Sequence, residues 1–500
     1  MWDFYCTAGN NSGKWTQIPV PSNWEFHGFG QFTYGHDKKR LNESGMYRHK
    51  FTISEHWKGK KVNIVFDGAM TDTEVFVNGK KAGPIHQGAF YCFRYDITKL
   101  LKYGKENLLE VTVHKSSSNK SVEAAERKAD FWVFGGIFRP VWLEALPLNH
   151  IERIAIDAKS SGEFRMNVHL GHKESKAEIV AQVKTLDGKL YGKEIRLDVK
   201  NQDVVCLSAD YVNPALWSSE FPNRYMVEVS LLKEDEVQHI VTEKFGFRTA
   251  ELRPRDGFYI NGVKIKFKGV NRHEFSSRRG RVPNHDELLR DIVTMKRNNI
   301  NAIRTSHYPN DSALYALCDE YGLYLIDECN METHGMWDMV GRGVWPIEKA
   351  LPGDRQEWKD LLLDRVNSMY QRDKNHPSII IWSCGNESFG GSVIYEMSRL
   401  FHALDDTRLV HYEGVCNDRR YNDTSDMESR MYPSAAYVKD FLQKDRSKPY
   451  LLCEYTHAMG NSCGGMHKYT DLTDEEPLFQ GGFIWDYIDQ SIYHLSLIHI

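Results

Sequence analysis

Hydrophobic and polar residues alternate with a period of two along the first part of the chain. Short alternating runs lie before about residue 146, among them YRHKFTI, KVNIVFDG, TEVFVNGKKAG and NLLEVTVHK. Such alternation is typical of strands that bury one face, and Asn78-Gly79 supplies the positive φ angles that a tight hairpin needs. The pattern predicts an all-β domain, a β-sandwich, over residues 1–148.

The alternation continues at a smaller scale between residues 149 and 249. The segment EIVAQVKTLDGKLYG has a turn signal at Asp187-Gly188, and RYMVEVSLLKEDEVQHIV alternates cleanly. About 100 residues with strands of this kind fit an immunoglobulin-like fold. We therefore predict a second, immunoglobulin-like β-sandwich over residues 149–249.

After residue 250 the pattern changes to strands that alternate with helices. The segment NHDELLRDIVTMKRNN begins with a capping-box spacing, Asn284 to Glu287, and then has a helical apolar stripe. Eight strands are predicted near residues 264–270, 301–306, 323–328, 378–384, 408–413, 426–431, 450–454 and 481–486. Eight strands in βα alternation predict a (β/α)8 TIM barrel over residues 250–500.

Composition narrows the class of protein. The formal net charge of -4 and the pI of about 6.6 leave no basic stripe for nucleic acid. No apolar run approaches the roughly 18 residues of a membrane span, and the N-terminus lacks signal-peptide features. These features predict a cytoplasmic protein without a nucleic-acid or membrane partner. The nine cysteines include no C-x-x-C pair, which argues against a disulfide framework and a thiolate zinc site.

Polar residues follow almost every predicted barrel strand. The carboxyl ends of barrel strands converge on one face, where TIM-barrel active sites are built. A solvated strand end would explain one acid, such as Glu387 after SIIIWSCGN, but it does not explain polar clusters after most strands. The sequence therefore predicts a functional site at this face. The strand ends read GVNRHE, RTSHYPN, DECNMETHG, CGNES, YEG, RMYPS, CEYTH and WDYIDQ.

Two acids, Glu387 and Glu454, each come directly after an apolar run. Two carboxylates across a barrel mouth suit glycoside hydrolysis, in which one protonates the leaving oxygen and the other attacks or activates water. The amide of Asn386 is suited to a sugar hydroxyl. A buried structural ion pair is the alternative interpretation of Glu454.

Six motifs, in order over residues 269–490, resemble the β-galactosidase branch of family-2 glycoside hydrolases: GVNRHE, RTSHYPN, ETHG, NHPSIIIWSCGNES, CEYTHAMGNS and GGFIWDYIDQ. The segments IPVPSNWEFHG and DFWVFGGIFRPVWL are similar to the sugar-binding jelly-roll domain of that family. The resemblance implies retaining hydrolysis of terminal, non-reducing β-D-galactosides (lactose-like substrates) through a covalent glycosyl-enzyme. It implies that Glu387 is the acid/base and Glu454 the nucleophile.

Further residues match functional positions of that family. Glu332, His334 and Glu387 match magnesium ligands, although an E-x-H triplet alone is a weak metal signal. Tyr432 matches the tyrosine that partners the nucleophile; as an isolated residue it would more often be a core phenol. The remaining matches imply substrate-binding roles around the sugar for His273, His307, His457, Trp485 (an aromatic floor), Asp130 and, more loosely, Asn42. The alternative for the histidines and for Trp485 is ordinary barrel packing.

The chain departs from the family pattern at its C-terminal end. The chain stops within SIYHLSLIHI soon after Trp485, so we expect a barrel that is incomplete at its C-terminal end and an incomplete sodium site beside Asp130. The apolar ending lacks helical periodicity. Two other functions remain open: another family-2 specificity, β-glucuronidase or β-mannosidase, and a catalytically inactive carbohydrate-binding fragment. The expected partner is a small carbohydrate, and a homo-oligomer stays open.

Overall fold

Two antiparallel β-sandwiches precede the barrel in the computed structural model, which describes residues 1–35, 37–171 and 177–493. The strands of the first sandwich are β1 (Trp2–Cys6), β2 (Trp15–Ile18), β3 (Thr33–Tyr34), β4 (Ser44–Thr52), β5 (Lys61–Phe66), β6 (Asp72–Val77), β7 (Lys80–Lys81), β8 (His86–Gln87), β9 (Phe93–Asp96), β10 (Glu106–His114), β11 (Trp132–Val133) and β12 (Val141–Leu146).

The first sandwich buries the alternating faces that the sequence predicted. One sheet has the order β2-β1-β4-β10-β6-β7, with β8 beside β6; another has the order β12-β5-β9, and β11 pairs with β3. Leu109, Val111 and Val113 of β10 are buried while the residues between them are less so. The predicted hairpin is confirmed, because Asn78 (φ 53°) and Gly79 (φ 75°) connect β6 to β7.

The second sandwich has the immunoglobulin-like arrangement. Sheet β13-β14-β17 and sheet β16-β15-β18-β19 share one hydrophobic core. The predicted turn is present at Gly188 (φ 87°), whose N–H donates to the Thr185 carbonyl at 2.9 Å. The strands are β13 (Ile151–Ala158), β14 (Glu163–Leu170), β15 (Ala177–Thr185), β16 (Ile195–Asp198), β17 (Val204–Asp210), β18 (Tyr225–Lys233) and β19 (Glu236–Phe245).

Eight parallel strands form the barrel. A small sheet precedes them: β20 (Ala250–Arg253), β21 (Gly257–Ile260) and β22 (Val263–Lys264). The barrel strands are β23 (Phe267–Arg272), β24 (Ala302–Thr305), β25 (Tyr324–Glu328), β26 (Ile379–Ser383), β27 (Leu409–His411), β28 (Glu428–Met431), β29 (Tyr450–Tyr455) and β30 (Phe479–Ile484). Their order is β27-β26-β25-β24-β23-β30-β29-β28. The predicted TIM barrel is confirmed.

Strands β27 and β28 stand at the two ends of this order and do not pair as a ladder in the described residues. The Asp426 N–H donates to the Val410 carbonyl at 2.9 Å, and the His411 ring meets the Ser429 hydroxyl at 2.9 Å. By contrast, β23 pairs with β30 through a parallel ladder, so the first and last strands are neighbours. The strand ends therefore form one nearly closed ring.

Helices cover the outside of the barrel and part of its rim. The capping box at the start of α2 is confirmed, since Asn284 and Glu287 exchange side-chain to backbone bonds of 2.8 Å. No helix in the described ranges is long and apolar enough to cross a membrane. The helices are α1 (Lys120–Glu126), α2 (His285–Arg297), α3 (Ser312–Tyr321), α4 (His334–Gly341), α5 (Lys359–Asp373), α6 (Ser392–Leu404), α7 (Ala435–Lys444) and α8 (His467–Glu475). Short 3-10 turns are Trp24–His27, Glu55–Trp57, Thr98–Leu100, Ile347–Lys349, Gln356–Trp358, Glu413–Cys416 and Arg419–Thr424.

Two buried ion pairs fix the first sandwich on the barrel. Arg139 bonds Glu274 at 2.8 Å and also reaches the Pro309 carbonyl at 2.7 Å. Arg365 of α5 holds both carboxylate oxygens of Glu126, which ends α1. These contacts bring the segment after α1 to the barrel rim.

Residues 494–500, which contain most of the apolar ending noted in the sequence, lie outside the described residues.

Candidate active site

Glu454 lies near the end of β29 with both carboxylate oxygens engaged. Arg304 Nη1 donates to Oε1 at 2.9 Å, and the Tyr432 hydroxyl donates to Oε2 at 2.7 Å. His307 Nε2 is 3.8 Å from Oε1. Burial raises the pKa of Glu454, whereas the adjacent Arg304 and His307 favour the ionised form. Two donors therefore hold this carboxylate in one orientation at the barrel mouth.

Arg304, on β24, connects several residues of the mouth. Its Nε donates to Glu328 Oε2 at 2.7 Å and its Nη2 to Glu328 Oε1 at 3.0 Å. It also donates to the side-chain oxygens of Asn271 at 2.9 Å and Asn386 at 2.8 Å. Burial opposes ionisation of Glu328, but Arg304 and His307 outweigh it and lower the pKa of Glu328 to about 2.

Sequence reasoning did not single out Arg304 or Glu328. The available signal was a cation inside an apolar strand, in the segment NAIRTSH, and an acid at the end of YLIDE. A charged residue that is fully buried requires an ionic partner, so each of these two predicts the other. A pairing search of this kind would have found them.

Glu387 follows β26 and lies beside a cluster of possible metal ligands. Its Oε2 is 2.5 Å from His334 Nδ1. Asn386 Nδ2 donates to Glu332 Oε1 at 2.9 Å. Ligand atoms of Asp130, Glu332 and His334 all lie within 4.8 Å of one another. The structure therefore brings the predicted ligands Glu332, His334 and Glu387 together and adds Asp130, from the first sandwich, to the group.

Burial and neighbouring charges shift the pKa values of Glu332 and His334 in this cluster. Burial is the main cause that raises the pKa of Glu332 to about 7, and the nearby acids Glu387 and Asp130 add to it, while His307 opposes it. Burial lowers the pKa of His334, but the hydrogen bond to Glu387 and the surrounding acids outweigh this and raise it to about 9. Both pKa values are raised, as expected for an excess of negative charge in a partly dry site.

Three aromatic side chains form one wall of the mouth. The rings of His307 and Trp485 are stacked, with centroids 5.1 Å apart and an interplanar angle of 4°. The ring of His273 stands perpendicular to both, with its centroid 5.4 Å from each of theirs. Trp485 is only 8% exposed, and the His273 ring bonds the Tyr308 hydroxyl at 3.0 Å. The wall therefore combines an apolar surface with imidazole groups.

The remaining predicted residues lie farther from this wall. His457 is exposed after β29, and its ring centroid is 6.0 Å from that of Tyr432. Asn42 is exposed ahead of β4, and in the described part of the chain no hydrogen bond or ion pair joins it to the barrel.

A cavity of about 60 Å³ lies between the first sandwich and the barrel, and its lining includes His273, His307 and Glu332.

Family models identify all three parts of the chain. "Glycosyl hydrolases family 2, sugar binding domain" matches residues 11–147, "Glycosyl hydrolases family 2" matches residues 149–248, and "Glycosyl hydrolases family 2, TIM barrel domain" matches residues 251–497. The chain belongs to glycosyl hydrolase family 2. The resemblance read from the motifs is thus confirmed.

Relatives within family 2 include several β-galactosidases. The chain is 43% identical to the β-galactosidase of Halalkalibacterium halodurans, across 98% of this chain and 49% of the relative. It is 42% identical to that of Clostridium acetobutylicum, across 95% of this chain and 54% of the relative. A β-galactosidase large subunit of Lactobacillus helveticus is 38% identical and is covered to 73%. The chain thus spans about half the length of the first two.

Solved structures share the fold. A putative β-galactosidase from Bacteroides fragilis has a TM-score of 0.78 at 21% identity, covering 97% of this chain and 78% of that chain. A Bacteroides uniformis β-glucuronidase has a TM-score of 0.77 at 22% identity, covering 98% and 64%. At this identity the likeness bears on architecture alone.

Proposed function

We propose that the protein is a retaining glycoside hydrolase that cleaves terminal, non-reducing β-D-galactosides of the lactose type. The observation that carries the proposal is the setting of Glu454, a buried carboxylate that two fixed donors orient at the mouth it shares with Glu387. The similarity to β-galactosidases at 38–43% identity supports the choice of sugar.

In the first step, a carboxylate oxygen of Glu454 forms a bond with the anomeric carbon while the bond to the aglycone oxygen breaks. Glu387 gives its proton to that oxygen, so the alcohol departs neutral. Arg304 and Tyr432 favour the ionised form of Glu454 before attack, against the effect of burial. In the second step, Glu387 takes a proton from water, the water oxygen attacks the anomeric carbon, and Glu454 leaves as a carboxylate.

The neighbouring side chains are proposed to bind the galactosyl group. Trp485, backed by the stacked His307, supplies an apolar surface for the less polar face of the sugar. Asn386 is held through its amide by Arg304 and Glu332, so it is preoriented toward a hydroxyl. The other proposed contacts are His273, His457, Asp130 and Asn42.

Magnesium is proposed at Glu332, His334 and Glu387, with Asp130 as a neighbour. Carboxylate oxygens fit a hard divalent cation, and a cation would offset both the burial of Glu332 and its repulsion by Glu387 and Asp130, which together raise its pKa. When bound, the ion would stabilise the ionised form of the adjacent acid. Sodium beside Asp130 stays a prediction.

The metal proposal is tested by exhaustive chelation. Elemental analysis of the untreated protein should find magnesium, hydrolysis should fall after chelation, and added magnesium should restore it. Glu332→Gln should weaken magnesium binding measured by calorimetry. An unchanged rate in protein shown to be metal-free would remove the site.

Two substitutions test the catalytic roles. Glu454→Gln should abolish turnover of every substrate, because no glycosyl-enzyme can form. Glu387→Gln should spare substrates whose leaving group needs no proton, and azide should restore its rate and give β-galactosyl azide. An α-configured azide product, or near-normal turnover by Glu454→Gln, would contradict the assignment.

A panel of chromogenic glycosides tests the specificity. Preferred hydrolysis of a β-glucuronide or a β-mannoside would replace galactose with that sugar. Galactose binding by calorimetry without turnover of any glycoside would instead indicate an inactive carbohydrate-binding protein. Sedimentation of the same sample tests the homo-oligomer.

A further inference from the structure

Glu328 is fully buried at the end of β25 and holds two residues that in turn face the nucleophile. Its Oε1 accepts hydrogen bonds from His307 Nδ1 at 2.8 Å and from Arg304 Nη2 at 3.0 Å. Its Oε2 accepts from Arg304 Nε at 2.7 Å and from the Ser383 hydroxyl at 2.7 Å. Each oxygen therefore has two donors, and both His307 and Arg304 lie next to Glu454 on their other sides.

The contact with His307 defines which ring nitrogen faces the site. An ionised carboxylate only accepts hydrogen bonds, so the Nδ1 atom bonded to Glu328 must carry a proton. The opposite nitrogen, Nε2, is the one that lies 3.8 Å from Glu454 Oε1. The same bond fixes the plane of the ring, which is the plane that stacks on Trp485.

The guanidinium group of Arg304 bonds two carboxylates through different nitrogens. Nε and Nη2 are directed at Glu328, which leaves Nη1 for Glu454 and Asn271. A bidentate pair of this kind sets the rotation of the guanidinium plane as well as its position. Glu328 also balances the positive charge, which would otherwise act on the nucleophile alone.

We propose that Glu328 is a positioning residue that fixes the orientations of both His307 and Arg304. Through these two residues it orients the aromatic wall of the mouth and the nucleophile Glu454. The proposal rests on the function proposed above. Glu328 itself makes no bond to Glu454 within the described residues, so its effect on hydrolysis passes through these two partners. The prediction is that removing its charge impairs both sugar binding and attack.

Glu328→Gln tests the proposal with little change in volume. A glutamine offers one acceptor oxygen and a donating NH₂ group, so in either orientation its NH₂ faces an Arg304 donor and the bidentate pair is lost. We expect kcat/KM for an aryl β-galactoside to fall about 100-fold or more, the loss that a misplacement of about 1 Å produces. The Kd for galactose, measured by calorimetry, should rise about 10-fold as His307 loses its fixed orientation.

A double mutant separates positioning from general destabilisation. If Glu328 acts partly through His307, then Glu328→Gln should lower kcat/KM much less in the His307→Asn background than alone.

Asp405→Asn is the matched control. Asp405 is equally buried and bonded to Arg408 at 2.7 Å and Lys374 at 3.2 Å, but it precedes β27 at the opposite end of the barrel. It should lower the melting temperature and leave kcat/KM within about two-fold.

Several results would overturn the proposal. Strictly additive losses in the double mutant would do so, as would a kcat/KM for Glu328→Gln within three-fold of the unmodified protein. If Glu328→Gln does not fold, Glu328→Asp replaces it: the charge remains but the shorter side chain cannot reach both partners, so activity as high as that of the unmodified protein would contradict the proposal.

A separate readout distinguishes this inference from the proposed function. If the unmodified protein hydrolyses no β-galactoside and binds no galactose, the proposed function fails. Crystal structures of the unmodified protein and Glu328→Gln then decide the inference: a rotated His307 ring or a shifted Arg304 supports it, and unchanged positions of both overturn it.

Discussion

At the residue scale, burial raises the pKa of each carboxyl at the mouth, and a cation in contact opposes that rise. Glu328 and Glu454 both contact Arg304, whereas the carboxyl of Glu413 has no hydrogen bond or ion pair within the described residues. Burial, with a further contribution from Glu387, raises the pKa of Glu413 to about 8. Glu413 is therefore protonated at neutral pH although it lies at the same mouth.

Glu413 should make stability depend on pH. Because its pKa is raised on folding from roughly 4.3, its contribution to stability is complete below about pH 4 and is lost as pH rises toward 8, by about 1.4 kcal/mol per unit. Glu413→Gln should therefore gain stability relative to the unmodified protein between pH 5 and 8, measured as urea midpoints. Glu428→Gln, which removes the partner of Arg419, is the control and should show no such gain. A constant difference across pH would refute the shift.

Tyr432 supplies one of the two donors to Glu454. Tyr432→Phe should lower kcat about 100-fold with a smaller change in KM, because losing a preorganised donor at a reacting oxygen typically costs this much. Tyr437→Phe is the matched control, since its hydroxyl lies in an exposed residue of α7 and makes no described hydrogen bond. Steady-state kinetics with one aryl galactoside measures both, and equal effects of the two would argue against a role for the donor.

At the element scale, local sequence signals correspond to real ends of helices and strands. The capping box of α2 satisfies backbone donors that the helix itself leaves free. Asn284→Ala should reduce the free energy of unfolding of the barrel by about 1 kcal/mol. Arg290→Ala, an exposed change in the same helix, should have almost no effect. Urea denaturation followed by circular dichroism compares them, and no difference between the two would contradict the cap.

At the scale of the whole molecule, buried ion pairs join the first sandwich to the barrel. Arg365→Met leaves the Glu126 carboxylate buried without its partner and should cost about 3–5 kcal/mol of unfolding free energy. Adding Glu126→Gln should restore part of the loss, because no unpaired charge remains. Denaturant unfolding of the single and double variants tests this. A double variant less stable than Arg365→Met would exclude the mechanism.

The sequence by itself determined the elements and the fold class, and it predicted the two glutamates as site residues. Alternation with period two, helical stripes and turn residues report local backbone preferences, so the eight barrel strands were predicted within a few residues of where they lie. Glu387 and Glu454 could be selected because an acid directly after an apolar run is conspicuous, and the ordered motifs supported the family.

Only the tertiary structure decided how the side chains meet. Arg304 lies 24 residues before Glu328 and 150 before Glu454, yet it contacts both. Asp130 reaches the Glu332 and His334 cluster because the first sandwich is fixed on the rim. No local sequence pattern encodes these contacts, because each depends on which strand ends become neighbours and on which buried charges form ion pairs.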